Sequence, residues 1–288
     1  MRVTTLLAAA VLAIAALPAH AQQPAQAAAP AQAAAPAAQP DSEADWTLLR
    51  DERKKSLIAY IPVTTGLMLA VRCMDGALDG VITGLPAHPR GRPTRPLGLA
   101  FGTERMHQTR WSVTTDPTVA ISDYPASFAR SLKRGGALKI MVPGGAPDGR
   151  NLIHDLTLPG SGSAIEQTLA ACGRPLEDPR DDLLPDIEEG GLPLGLIWAK
   201  EPRIAYPNTF LAAGYAVVSC VAQTDGSLEQ CQLEAEQPPR SRFGNAALRA
   251  TREARIDVTD QAPGALPRMI AFRANFTTDP NQVRRPRD

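Results

Sequence analysis

The sequence predicts an α+β protein: a β-rich N-terminal module with two short helices, then a small antiparallel sheet packed by two helices. Three observations predict it. Leu67, Leu69, Val71 and Cys73 alternate with Met68, Ala70 and Arg72, the period-2 pattern of a half-buried strand. Asp225-Gly226 separates the runs Tyr215–Ala222 and Leu228–Ala235, a short hairpin signal. The helical stripes are short; Phe128, Ala129 and Leu132, for example, are stopped by Gly135-Gly136.

The chain has 288 residues, 44% hydrophobic and 21% charged, a globular composition able to bury real cores. Thirty basic and thirty acidic residues cancel, so no charge excess argues for nucleic acid. Met1-Arg2 and the apolar run Leu6–Leu17, broken by Pro18 and followed by Ala19-His20-Ala21, read as a secretory signal. The run is shorter than the ~20 residues a spanning helix needs. Residues 1–21 are therefore expected to be cleaved between Ala21 and Gln22, giving a periplasmic product with no stable membrane span. Residues 22–40, built of Ala, Pro and Gln, read as a linker. Glu177–Glu189 holds seven acids against one base, so an acidic linker is placed at 177–191. It divides a β-rich module, 41–176, from a second module, 192–276, and a disordered tail is expected at 277–288.

In the first module, further strands are expected at Leu78–Thr83, Trp111–Thr115, Ala137–Val142 and Ile153–Leu158. One helix starts near Asp123 with Pro125 early in it. The other starts at Ser163, which has the capping-box spacing with Glu166. Trp46 is suited to cap the start of the module. In the second module, Tyr206-Pro207 opens a short helix that Gly214 can end. Phe243, Ala247, Ala250 and Ala254 line another helix. Arg268–Phe276 closes the module, with Ile270, Phe272, Ala274 and Phe276 on one face.

Cys73, Cys172, Cys220 and Cys231 are spaced too widely for a zinc site and lack a redox C-x-x-C. Export to an oxidising compartment makes them candidates for structural disulfides. A two-residue turn at Asp225-Gly226 sets Cys220 opposite Cys231, Val218 opposite Leu233 and Ala216 opposite Ala235. The cysteine Cα atoms then lie ~5.5 Å apart, within disulfide range. Cys73 and Cys172 end the apolar faces of a strand and a helix, and joining them staples one to the other.

No catalytic constellation stands out. His88, His107 and His154 have no metal-ligand spacing. Gly160-Ser161-Gly162-Ser163 lacks the G-x-S-x-G order, and Pro143–Pro147 lacks the Lys-Ser of a phosphate loop. No enzyme activity, metal or cofactor is expected, and a secreted enzyme with a dispersed site is the weakest alternative.

The run from Tyr206 to Phe276 resembles the TonB C-terminal domain family. The matching features are Tyr206-Pro207, Gly214, the strand Ala216–Ala222, Asp225-Gly226, the return strand through Leu233, Phe243 with Ala246-Ala247-Leu248, and the closing strand. The resemblance implies a small antiparallel sheet with two helices. It also implies a closing strand at the sheet edge that pairs with a peptide of a partner, such as an outer-membrane receptor. On this chain the implied partner-facing residues are Arg268, Met269, Ala271, Arg273 and Asn275. The short apolar run, with His20 outside it, departs from the anchored energy transducers of that family. The first module, through Phe128–Leu132, Leu138–Val142 and Leu169–Gly173, resembles β-rich alphaproteobacterial envelope modules, invasion-associated-locus-B-like proteins among them. The expected function is a non-enzymatic periplasmic adaptor engaging a protein or peptide of the cell envelope. The alternative is an energy transducer with an uncleaved anchor.

Overall fold

Alternation of apolar and polar residues makes the first module a sheet. The computed structural model describes residues 45–185, 192–259 and 265–278. The signal and its cleavage site at Ala21 and Gln22, the 22–40 linker, residues 186–191 of the acidic run and 279–288 of the tail lie outside them. Nine strands, β1 (Thr47–Asp51), β2 (Ser56–Pro62), β3 (Met68–Met74), β4 (Ala77–Thr83), β5 (Thr94–Phe101), β6 (His107–Val113), β7 (Ala120–Ser122), β8 (Gly136–Val142) and β9 (Leu152–Leu158), form one antiparallel sheet. Its order is β1-β2-β3-β4-β7-β6-β5-β8-β9. Helix α1 (Pro125–Lys133) lies between β7 and β8, and α2 (Ser163–Ala171) follows β9.

The inner face of this sheet holds the first core. Leu69, Val71, Ile82, Leu97, Trp111, Ile140 and Leu156 enclose Phe128 and Leu132 of α1 and Ile165 and Leu169 of α2. Burying each such side chain contributes roughly 1.5–3 kcal/mol, and Trp111 meets Phe128 edge to face at 5.0 Å. Trp46 joins this core. Helix α1 lies where the sequence places it, four strands had no sequence expectation, and one expectation, the capping box at Ser163, needs correction. Strands β1, β2, β5 and β7 went unread. Helix α1 starts at Pro125 with Tyr124 as an uncapped N-cap, because the Asp123 side chain is used elsewhere. Ser163 and Glu166 form no capping box: Gly162 occupies the N-cap position, and Glu166 lies 3.7 Å from Lys133 instead.

The second module contains β10 (Leu196–Lys200), β11 (Ala213–Ala222), β12 (Leu228–Gln237), α3 (Phe243–Thr251), β13 (Arg255–Val258) and β14 (Arg268–Thr277). Strands β12-β11-β14 form one antiparallel sheet, and β10 pairs with β13 in a separate ribbon. Ala216, Val218, Cys220, Ile270, Phe272 and Phe276 pack against Phe243, Ala246 and Ala247 of α3. One described helix covers this sheet, not two. Residues 201–212 are irregular, and Gly214 is the second residue of β11 rather than the end of a helix. A Cβ at Gly214 would lie 2.3 Å from both the Gln237 carbonyl oxygen and the Phe243 ring, so this close approach demands glycine.

The hairpin between β11 and β12 also differs in detail. Gln223 N donates to Ser227 O at 2.9 Å, and Gly226 N donates to Gln223 O at 2.9 Å. The loop is therefore the three residues Thr224-Asp225-Gly226, with Gly226 at φ +77, the type I turn with a left-handed third residue. Near it Ala222 faces Leu228 and Val221 faces Glu229. An irregularity between Ser219 and Val221, where Gln230 has φ 49, restores the expected Val218–Leu233 and Ser219–Gln232 pairs. A second one pairs Ala235 with Val217 rather than Ala216. Such bulges insert unpaired residues without losing the apolar face. Here the second one turns Ala235 to the opposite face, beside Tyr215 and Val217.

Candidate functional site

The reverse face of the second sheet is where the two modules meet. Tyr215, Val217, Ala235 and Ala271 make a small apolar cluster there, with Tyr124 of the first module packed against it. Polar groups surround the cluster. Arg273 Nη1 donates to Ser112 Oγ at 2.7 Å and to Asp123 Oδ1 at 2.8 Å. Ser112 Oγ donates to the same carboxylate oxygen at 2.9 Å. The Arg273 guanidinium also stacks 3.5 Å from the Tyr215 ring centroid. Asp123 is 2% exposed, and its Oδ2 has no hydrogen-bond partner among the described residues. Burial pushes the Asp123 carboxyl above its ordinary range, against the pull of Arg273 and Ser112. Burial, reinforced by the charge of Asp123, pushes the Tyr215 phenol up as well.

Two more contacts extend the seam, one of them braced from within the first module by Arg72. Gln237 Nε2 donates to Asp79 Oδ1 at 2.6 Å, and Arg72 Nε donates to Asp79 Oδ2 at 2.8 Å. Burial raises the Asp79 pKa despite both partners. Arg240 Nη2 donates to the Asp75 carbonyl at 2.6 Å.

The described part of the acidic run is no solvated spacer, which corrects the sequence reading. Arg130 of α1 donates from Nε and Nη2 to the two carboxylate oxygens of Asp181, each at 2.6 Å. Arg180 is held by Asp178 and donates to Ser219 Oγ and Glu234 Oε1, both at 3.2 Å. Tyr124 Oη donates to Pro185 O at 2.6 Å. The segment from Cys172 to Pro185 thus ties α1 to β11 and β12. Burial alone would raise the Asp178 pKa, but the hydrogen bonds and charge of Arg180, with the charge of Arg130, hold it below the ordinary value.

The four cysteines fall into two bonds. Cys73 joins Cys172 with Cα atoms 5.5 Å apart, and Cys220 joins Cys231 at 4.1 Å. The second spacing is nearer to the ~4.5 Å of a non-hydrogen-bonded cross-strand pair than to the ~5.5 Å expected from the sequence.

Strand β14 is an edge of its sheet. Its Ile270, Phe272, Ala274 and Phe276 face α3 and the second core. Of the five expected partner-facing residues, Arg268 and Asn275 are exposed. Met269 and Ala271 are buried, and the Arg273 side chain is engaged with Asp123. Those three side chains are not open contacts: Met269 and Ala271 are buried, Ala271 in the cluster that Tyr124 of the first module packs against, and Arg273 is bonded to that module. What stays unpaired among the described strands is the outer backbone edge of β14. The opposite edge, on β12, is obstructed: Arg174 Nη2 donates to the Leu233 carbonyl at 3.3 Å. The sequence reading missed Ser112, Asp123 and Tyr215. Tyr215 and Val217 carried one signal, since both are apolar on the strand face opposite α3.

Two clefts flank the seam. The larger, about 350 Å³, is lined by Arg50, Glu52, Lys55, Asp75 and Arg240. In it Arg240 pairs with Asp75 and Arg50 with Glu52.

No family model matches the chain, the TonB C-terminal family included. No curated protein matches it either. Among solved structures, the crystal structure of invasion associated protein B from Bartonella henselae is similar to this chain at 14% identity, with a TM-score of 0.33. That match covers 46% of this chain and 97% of the other.

Proposed function

We propose that the protein is a non-enzymatic binding or adaptor protein of the cell envelope, exported to the periplasm, which takes an extended segment of a partner on the edge of β14. The observation that carries this reading is the ten-residue β14, an edge strand with no described strand on its outer side. A sheet edge offers alternate N–H and C=O groups that a peptide strand satisfies. The TonB C-terminal-like order of elements supports the same edge, and an outer-membrane transport receptor is one candidate partner. Two disulfides support an oxidising compartment. Among the described residues no helix is long and apolar enough to cross a membrane. The test is an NMR titration of the exported chain with extended peptides of the TonB-box type. Amide shifts concentrated on 268–276 are expected. No shift there at millimolar peptide would leave the module as a structural domain.

A further inference from the structure

Two loops of the first module lie against each other beside β5. Leu85 N donates to Thr118 O at 3.1 Å, and His88 N donates to Pro117 O at 3.0 Å. Arg95 of β5 reaches the same place: its Nη1 donates to Pro86 O at 2.9 Å and to Pro117 O at 3.3 Å. His88 and Arg95 therefore share one carbonyl oxygen. Arg95 is only 3% exposed, and these two carbonyls are its side-chain acceptors among the described residues. Its Nε is buried without a hydrogen-bond partner there, and so is His88 Nε2. Arg130 shows what such an edge does when an anion is present, since its Nε and Nη2 hold the two oxygens of Asp181 at 2.6 Å each. Neutral carbonyls offset only part of the desolvation of a buried guanidinium. Orphaned buried nitrogens of this kind call for a water or an ion.

The local charge has one sign. Residues 85–98 hold His88, Arg90, Arg92 and Arg95 and no Asp or Glu. In the facing loop, the exposed Asp116 carboxylate is taken up by Thr118, whose N–H and hydroxyl donate to it at 2.9 and 2.7 Å. Burial and the charges of Arg95 and Arg92 hold the His88 imidazole below its ordinary range, against a hydrogen bond to the Thr94 backbone. We infer that Arg95 and His88 form a binding site for one oxyanion, the carboxylate or phosphate group of a small ligand. Arg95 offers its Nε–Nη2 edge side-on to two oxygens. His88 Nε2 donates to the same group once the ring is protonated. His88 is partly exposed, so the ligand reaches the pair from the solvent side of the loop, past the exposed Arg92. The site stands apart from the β14 edge and does not depend on edge pairing.

The test is an NMR titration of the whole exported chain with sodium acetate, sodium phosphate and sodium chloride at matched ionic strength, following the Arg95 Nε–H and His88 ring resonances. Acetate or phosphate should shift both saturably, and the tighter of the two identifies the group as carboxylate or phosphate. Acetate affinity should rise several-fold from about pH 7.5 to about pH 5.5 as His88 gains its proton. His88→Ala should weaken binding by about tenfold, and Arg92→Ala, at an exposed position, by less than about threefold. Arg95→Met should abolish binding; should that variant not fold, His88→Ala carries the test. Equal shifts with chloride, wild-type affinity in His88→Ala, or resonances unmoved by all three salts would overturn the site and assign the two buried nitrogens to water.

Discussion

Replacing Arg273 with alanine strips the buried Asp123 of the cation bonded to it and leaves Ser112 as its remaining hydrogen-bond partner among those described. Breaking a buried ion pair by removing one member costs about 3–5 kcal/mol, because the surviving charge stays desolvated. Loss of the stack on Tyr215 adds to this. Against a total stability of roughly 5–15 kcal/mol, that is about a fifth or more. At a slope of ~3 kcal/mol/M, the urea midpoint should fall by about 1–2 M. Trp111 lies in the first core and Trp198 beside the second, so fluorescence follows both modules in one experiment. The loss should depend on pH. The folded-state pKa of Asp123 is raised by burial, so its contribution is favourable below the unfolded value of 3.8 and is lost as pH rises through the folded value. Without Arg273 the carboxyl is pushed higher still, and the penalty at pH 7 should exceed the penalty at pH 4. Removing both charges with Arg273→Met and Asp123→Leu should cost less than Arg273→Ala alone. A loss under about 1 kcal/mol for Arg273→Ala, flat with pH, would refute the claim that this cluster holds the modules together.

Other outcomes follow from the same geometry. Non-reducing peptide mapping should recover Cys73–Cys172 and Cys220–Cys231; four free thiols in exported protein would contradict the structure. The chain-entropy model gives up to ~4.7 kcal/mol for the 99-residue separation of the first bond and ~2.8 for the 11-residue separation of the second. Cys73→Ser with Cys172→Ser should therefore be the more damaging pair in urea melts. It should loosen the second module too, because Arg174 and Arg180 just beyond Cys172 bind β12. Asp178, whose pKa is lowered, contributes stability above pH 3.8 that fades as pH falls through its folded value. The stability gap between wild type and Asp178→Asn should accordingly close on acidification. Gly214→Ala forces a Cβ into the Gln237 carbonyl and the Phe243 ring and should cost about 1–3 kcal/mol by thermal melting, or more if the backbone cannot shift.

What the sequence made legible was one-dimensional. Strands with clean alternation, such as Leu69, Val71 and Cys73 in β3, could be read because one face is buried and the other is not. Strand β5 escaped because Pro96 and Gly98 are strand breakers by composition. Pairing with β8 begins only at Gly98, so Pro96 has no β8 partner to deprive of a donor. The helix expected at Tyr206–Gly214 failed because Pro207 and Gly214 serve a loop and a tight approach. The interface was invisible for a deeper reason. Asp123, Arg273 and Tyr215 lie far apart in the chain, and each had an ordinary local role as helix start, edge charge or strand residue. Likewise, seven acids in Glu177–Glu189 looked solvated because nothing local shows that Arg130 and Glu234 converge on Asp181 and Arg180.

Edge pairing requires β14 to be an edge strand whose outer backbone is open, and amide hydrogen exchange of the exported chain measures that directly. Along Arg268–Thr277, amides directed at β11 should be protected, while the alternate, outward amides exchange rapidly and become slow when an edge-pairing peptide is bound. Uniformly slow exchange at every position from 268 to 277 in the free protein would show the edge already covered and contradict edge pairing.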